Sequence, residues 1–185
     1  MTYEIIQPPF TLNFRTMSKR ELEGYYEWFK QMIPERICML EKTVRESESS
    51  WTADRSPKSL SALGQWFVGE VETRPRTSEE MEELRSKLPD SIDISSVELT
   101  NRTFSLAMDI GMYLGEVFRK KVCGAEWTLH LKKNVNFGQP VLTGFKVPLN
   151  PVRVALTGAY RAARGSRWGN HLLSVYKGWL SDMKT

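Results

Sequence analysis

The chain has 185 residues, of which 41% are hydrophobic, and this is enough to bury one sizeable core, so we expect a single globular domain over residues 1–185. No stretch approaches the roughly 18 consecutive apolar residues of a membrane span, and the N-terminus lacks the basic and apolar segments of a secretory signal. The composition therefore predicts neither a transmembrane helix nor an exported precursor.

The net charge of +4 conceals an uneven distribution. Residues 1–118 hold 14 Lys and Arg against 20 Asp and Glu, whereas residues 119–185 hold 12 against 2. Either the acidic and basic parts face each other in the fold, or the basic part faces an anionic partner. Both interpretations stay open at the level of sequence.

Helical signals come first along the chain and recur throughout it. Ser18 and Thr77 each begin a capping box, with a Glu three residues later. Pro34 lies inside the first apolar pattern and predicts a kink or a break there. Asn150 followed by Pro151 has the form of an N-cap and a first helical residue. The spacing predicts helices over about 19–46, 57–72, 77–87, 103–122, 151–163 and 170–182.

The pattern changes between residues 125 and 146. Two alternating runs, one containing Trp127 and one beginning at Pro140, flank a loop of several residues, which is typical of an antiparallel β-hairpin. We therefore predict an α+β fold. It would be mainly helical, with a central buried helix at about 103–122 and a small antiparallel hairpin or sheet at about 125–146.

The central helix carries two acids inside an apolar run. Asp109 and Glu116 are seven residues apart, so they share one stripe of the helix. An unpaired buried charge is very costly, so we expect both acids to have partners, with Arg153 of the basic region as the first candidate. Gly111 and Gly115 predict a groove on this helix that lets a backbone or a large aromatic ring approach closely.

Reactive and cofactor motifs are absent from the sequence. It has no nucleophile elbow, P-loop or dinucleotide fingerprint, and His130 and His171 are not in a metal-ligand spacing. We expect no cofactor and no metal, and Cys38 and Cys123 are expected to be buried free thiols. A hydrolase that uses Asp109 and Glu116 remains a third-ranked alternative, because paired carboxylates can perform acid–base chemistry.

A basic segment near the C-terminus is the best nucleic-acid signal. Arg161, Arg164 and Arg167 recur every three residues and are followed by Trp168, which could stack on a base while the arginines hold phosphates. The more common interpretation is a solvated helix end. The same segment could also bind an acidic protein, as could the neighbourhood of Trp51 or Arg74–Arg76.

Several residues occur in an order that resembles a known family. They include Tyr113-Leu-Gly-Glu-Val-Phe118, Trp127, Gln139-Pro140, Gly144-Phe145 and Asn150-Pro-Val-Arg153. This order is similar to that of a family of small uncharacterised cytoplasmic bacterial proteins, although Gly138 stands where Asn is expected. Proteins of this general kind resemble immunity proteins encoded beside secreted bacterial toxins.

The resemblance implies a binding protein rather than an enzyme. We expect a non-enzymatic protein of the bacterial cytoplasm that neutralises a toxin-like protein partner by covering its surface. The alternative is a nucleic-acid-associated protein that uses the basic C-terminal third. The sequence contains no indication of oligomeric state.

Overall fold

A computed structural model describes residues 3–89, 91–165 and 169–183, and within these ranges six helices are interspersed with four short strands. The helices are α1 (Lys19–Arg45), α2 (Ser59–Glu70), α3 (Ser78–Lys87), α4 (Asn101–Lys121), α5 (Pro151–Ala163) and α6 (His171–Asp182). The strands are β1 (Thr73–Pro75), β2 (Val97–Leu99), β3 (Trp127–Leu129) and β4 (Pro140–Leu142).

The strands form two separate antiparallel pairs. In the first, β1 pairs with β2 so that Thr73 lies opposite Leu99. In the second, β3 pairs with β4 so that Trp127 lies opposite Leu142, and this is the predicted hairpin. The predicted fold class, mainly helical α+β with a small antiparallel element, is confirmed. The β1–β2 pair was not predicted from the sequence, because the pattern over residues 73–76 indicates only a break between helices.

Local capping chemistry sets most helix boundaries. Ser18 and Thr77 both complete their capping boxes, and the Asn150 side chain accepts a hydrogen bond from the Arg153 backbone N–H at the start of α5. The sequence predicted a kink or a break at Pro34, and the break is wrong, because α1 continues through this residue. Pro34 removes one backbone donor, but Ile33 and Ile37 on either side are buried in the core and hold the helix together.

Helix α4 lies at the centre of the core. It packs against α5 on one side and α1 on another, and every residue from Asp109 to Phe118 is buried. Ile110, Met112 and Leu114 are fully inaccessible to solvent, although they point in different directions around the helix axis. A helix that is apolar around most of its circumference is stable only when other elements surround it, which α1, α2, α5 and β3 together achieve.

Two glycines allow this close packing. A Cβ on Gly111 would lie 2.4 Å from Cα of Val152, so the backbone of α5 runs directly over this position. A Cβ on Gly115 would lie 2.1 Å from the ring of Trp127. The predicted groove is therefore confirmed in both of its forms, with a backbone in one half and a large aromatic ring in the other.

The sequence also predicts no membrane-spanning helix and two buried free thiols. None of the helices in the described ranges is long and apolar enough to cross a membrane. Cys38 and Cys123 are free, as expected, but both are exposed rather than buried. Cys38 lies on the solvent side of α1, and Cys123 follows the end of α4, where the chain leaves the core.

We predict that Gly111→Ala lowers the free energy of unfolding by about 1–3 kcal/mol, because the α5 backbone must move to accept the methyl group. The measurement is urea denaturation followed by circular dichroism. Gly178→Ala in α6 is the matched control, since nothing lies within 4 Å of its Cβ position. The control should raise stability by up to about 1 kcal/mol through helix propensity alone. Equal effects at both positions would contradict the close approach of α5.

Candidate functional site

Asp109 lies in a buried ion pair with Arg36 of α1. Nε and Nη2 of Arg36 donate to the two carboxylate oxygens, each over 2.8 Å, and the Arg36 and Asp109 side chains are 3% and 0% exposed. The expectation that Asp109 is bonded to an arginine is confirmed. The predicted partner is wrong: Arg153 is exposed, and its guanidinium donates to the backbone oxygen of Val135.

The pair also fixes the N-terminal arm, which consists of residues 3–17 and precedes α1. Tyr3 donates its hydroxyl to Asp109 and contacts Ser105 at 2.7 Å, while Arg36 donates to the Glu4 carbonyl. The Ile6 backbone N–H donates to Ser105 Oγ over 2.8 Å. The arm therefore attaches to α1 and α4 through hydrogen bonds at three residues, Tyr3, Glu4 and Ile6.

Burial and charge act against each other in this network. Burial raises the pKa of Asp109 to about 6, against the lowering effect of the Arg36 guanidinium and the Tyr3 hydroxyl. Burial alone would lower the pKa of Arg36, but hydrogen bonds and attraction to Asp109 raise it on balance. Burial and the Asp109 charge also raise the pKa of Tyr3. At neutral pH the carboxylate is ionised and both of its neighbours are protonated donors.

Glu116 has a second, separate set of partners. Its Oε1 accepts hydrogen bonds from the indole Nε1 of Trp127 over 3.0 Å and from Arg119 over 2.9 Å. The Tyr26 hydroxyl then donates to the Trp127 carbonyl, which fixes strand β3 against α1. Glu116 thus holds in place the ring that covers Gly115. Because both acids are buried and bonded in this way, the contacts lend no support to a hydrolase built on them.

The other candidate surfaces differ in accessibility. Trp51 is only 5% exposed and donates its indole N–H to the Ser59 carbonyl, so it belongs to the core and not to a partner surface. Arg74 and Arg76 form ion pairs with Glu80 and Glu98.

The basic segment is described only in part. Arg161 and Arg164 are exposed at the end of α5, and Arg161 contributes to lowering the pKa of His171 after the larger effect of burial. Arg167 and Trp168 lie outside the described residues.

The sequence did not predict the exposed apolar side chains on the loops around β4, which lie close to cations in two depressions. Leu131, Val135 and Val147 are 48%, 59% and 58% exposed, on the loops that precede and follow β4. Val135 and Val147 line one depression of about 380 Å³ together with Arg153. Lys133 and Arg15 line another of about 420 Å³. We call these residues, with the exposed Lys132 and Lys146, the loop surface.

The cations of the loop surface have no internal counter-charge. Among the described residues, none of its lysines or arginines forms an ion pair with an acid. By contrast, four arginines closer to the N-terminus each pair with an acid of the same chain, namely Arg36, Arg74, Arg76 and Arg102. A signal for this surface did exist in the sequence, since apolar and basic residues alternate irregularly over residues 131–135. This sequence pattern could not be distinguished from that of an ordinary hairpin loop.

Comparison with known proteins yields no match: no family model, curated protein or solved structure is similar to this chain. The family resemblance therefore stays a prediction.

We predict that Asp109→Asn lowers the free energy of unfolding by about 3–5 kcal/mol, because it leaves the Arg36 charge buried without a counter-charge. The matched control is Glu23→Gln, which removes an exposed ion pair with Lys19 and should change stability by less than about 1 kcal/mol. Urea denaturation of both variants checks this.

A double-mutant cycle with Arg36→Met isolates the pair itself. The double variant should lose less stability than the sum of the two single variants, because it leaves neither charge buried alone. Strict additivity would show that Arg36 and Asp109 do not depend on each other.

Proposed function

We propose that this chain is a non-enzymatic binding protein of the bacterial cytoplasm that neutralises an acidic protein partner, such as a toxin domain, by covering its surface. The observation that carries the proposal is the loop surface, where exposed apolar side chains lie among unpaired cations. Exposed apolar groups that cluster on one side of a protein commonly mark an interaction site.

Charge supports an acidic partner. Arg15, Lys132, Lys133, Lys146 and Arg153 give the loop surface five positive charges, and no acid lines either of its depressions. Complementary charge across an interface speeds association and excludes wrong partners. A basic protein would meet repulsion on this face, whereas an acidic protein would be attracted to it.

The apolar centre favours a protein over a nucleic acid. Protein interfaces combine an apolar core with a polar rim, and the loop surface has Val135 and Val147 at one depression with Arg153 beside them. Phosphate backbones are bound mainly through hydrogen bonds and charge, which isolated valines cannot supply. Mutual occlusion of two surfaces also requires no reactive side chain, in agreement with the structural roles of Asp109 and Glu116.

The thiols and the resemblance support a cytoplasmic compartment. Cys38 and Cys123 are exposed and unpaired, and a reducing compartment such as the cytoplasm keeps such thiols free. The family that the sequence resembles is cytoplasmic and bacterial. An immunity protein would meet its toxin in this compartment.

Nucleic-acid binding through the C-terminal third remains the second candidate. Arg161 and Arg164 support it, because both are exposed near one helix end and form no ion pair with a described residue. Such binding would weaken steeply with salt, since each neutralised phosphate releases a counterion. It would also be distributed over the arginines rather than concentrated on the valines.

We predict that the tagged protein, added to lysate of its native host, retains one acidic protein at near-stoichiometric amount with or without nuclease. Lys133→Glu combined with Lys146→Glu, or Val147→Asp alone, should reduce recovery at least tenfold, because each places negative charge on the loop surface. Quantitative mass spectrometry of the retained fraction measures this.

Matched controls separate the loop surface from a general effect of charge. Lys42→Glu changes an exposed lysine on α1, and Ile92→Asp changes a side chain that is 48% exposed far along the chain from the loops. Both should leave recovery unchanged. Recovery that disappears after nuclease treatment, and that falls instead with Arg161→Glu and Arg164→Glu, would replace the proposal with the second candidate.

Neutralisation itself has a direct test. The retained protein, expressed alone in a bacterial host, should inhibit growth, and co-expression of this chain should restore growth. The Val147→Asp variant should fail to restore it, while Ile92→Asp should succeed. A retained protein that is harmless when expressed alone would contradict the toxin-neutralising role while leaving the binding surface in place.

A further inference from the structure

A cavity of about 600 Å³ lies between the N-terminal arm and the core, and it shares Asn150 with the depression of the loop surface that Val135 and Val147 line. The arm supplies one wall, and α4 and α5 supply most of the other. The full lining is Ile5, Ile6, Gln7, Pro8, Leu12, Phe14, Tyr25, Asn101, Phe104, Ser105, Met108, Gln139, Pro140, Asn150, Val152 and Leu156. Its volume falls within the range of small-molecule sites in proteins.

The lining contains no charged residue. Its walls are mostly aliphatic and aromatic, and its polar members are amides and hydroxyls. An ionic group would lose its hydration in the cavity without gaining a counter-charge, which is strongly unfavourable. Arg36 and Asp109 lie behind Ser105, but they already bind each other. The cavity therefore discriminates against carboxylates, phosphates and amines.

The lining includes one tyrosine hydroxyl, that of Tyr25. Tyr25 is only 3% exposed, and its hydroxyl forms no hydrogen bond with a described residue. Burial raises the pKa of this hydroxyl, so it stays protonated and able to donate. This oxygen is not among the described buried polar atoms that lack a partner, so it keeps contact with solvent, and a ligand that supplies an acceptor would take the place of that solvent. Near the rim, the side-chain amides of Gln7 and Asn101 likewise bind no described residue.

The entrance of the cavity is also apolar. Ile5 and Leu12 are 40% and 36% exposed on the arm and line the cavity at the same time. Leu12 has a φ of 57°, in the left-handed region that a branched side chain rarely adopts. The backbone therefore accepts strain at the residue that stands beside the opening.

We propose that this cavity binds an uncharged, largely apolar small molecule with one hydrogen-bond acceptor, which the Tyr25 hydroxyl recognises. Medium-chain alcohols, ketones and esters have this chemistry. The apolar body would occupy the space between Met108, Val152 and Leu156, and the arm would cover it. This proposal does not rest on the protein partner proposed above.

The test uses the purified full chain and a fluorescent probe. N-phenyl-1-naphthylamine, which is neutral and apolar, should become fluorescent on binding, and 1-decanol should displace it. Sodium decanoate has the same chain length but carries a charge, so it should require at least a tenfold higher concentration. Equal displacement by decanol and decanoate would overturn the proposal.

Tyr25→Phe tests the hydrogen bond without disturbing the packing. It should weaken displacement by decanol about three- to tenfold, which corresponds to one net hydrogen bond. Tyr176→Phe is the control, because it removes a hydroxyl that forms no hydrogen bond with a described residue and that lies outside the cavity lining. The control should leave decanol binding unchanged. Equal weakening by both variants, or by neither, would contradict recognition by Tyr25.

Filling the cavity tests its location. Leu156→Trp and, separately, Met108→Trp should abolish the fluorescence of the probe, with the helical circular dichroism spectrum retained in at least one of them. Probe fluorescence that persists in a folded variant would place the binding elsewhere and overturn the proposal. Sedimentation of the wild-type chain gives a further check, since a dimer that forms through this face and excludes the probe would overturn it as well.

Discussion

The buried ion pair between Arg36 and Asp109 is the interaction on which the arrangement of the N-terminal half depends. It joins the middle of α1 to the middle of α4, and it extends through Tyr3 and Ser105 to the arm. A buried charge pair is worth little when compared with apolar packing, but it is very sensitive to position. Its effect is to set the relative placement of α1, α4 and the N-terminal arm, which apolar contacts alone would leave free to slide.

Glu116 has the same function in the other half of α4. One carboxylate oxygen accepts from both Trp127 and Arg119, and the indole ring then covers Gly115. The two acids of the central helix thus fix one element each, the arm in one case and the hairpin in the other. The presence of charge inside an apolar helix is explained by positioning, with no need for a catalytic role.

Much of this could be predicted from local chemistry. The capping boxes at Ser18 and Thr77 and the Asn150-Pro151 start of α5 depend on residues within one helical turn, so sequence spacing reveals them. The close approach at Gly111 and Gly115 was predictable for a related reason. Two glycines four residues apart in an otherwise apolar helix have a cost in helix propensity that only packing repays.

The partners of the acids could not be predicted in the same way. Arg153 was the nearest candidate by charge segregation, but the pairing of Asp109 depends on which face of α1 meets α4. Arg36 did carry a signal, since it lies between Ile33 and Ile37 on the buried stripe of α1. A lone arginine on such a stripe can also extend its charged end to solvent, so the pattern did not decide the matter. Tyr3 gave no signal, because an extended arm has no periodicity.

The distribution of ion pairs bears on the two interpretations of the uneven charge. The arginines at positions 74, 76 and 102 are neutralised by acids of the same N-terminal part, such as Glu80, Glu98 and Glu70. Arg119 pairs with Glu116 across the boundary between the two parts, but from Lys120 onward no cation in the part of the chain that the structure describes forms an ion pair with an acid. Apart from that one pair, the described residues of the acidic and basic parts do not neutralise each other in ion pairs.

The basic part thus keeps its charge at the surface, where it costs self-repulsion in the free protein. An acidic partner would relieve that repulsion as it binds. Binding of this kind weakens with salt, but the apolar contribution of Val135 and Val147 does not, because burial of apolar area is insensitive to charge screening. Binding through a surface that combines apolar and charged side chains should therefore weaken less with salt than binding through charges alone.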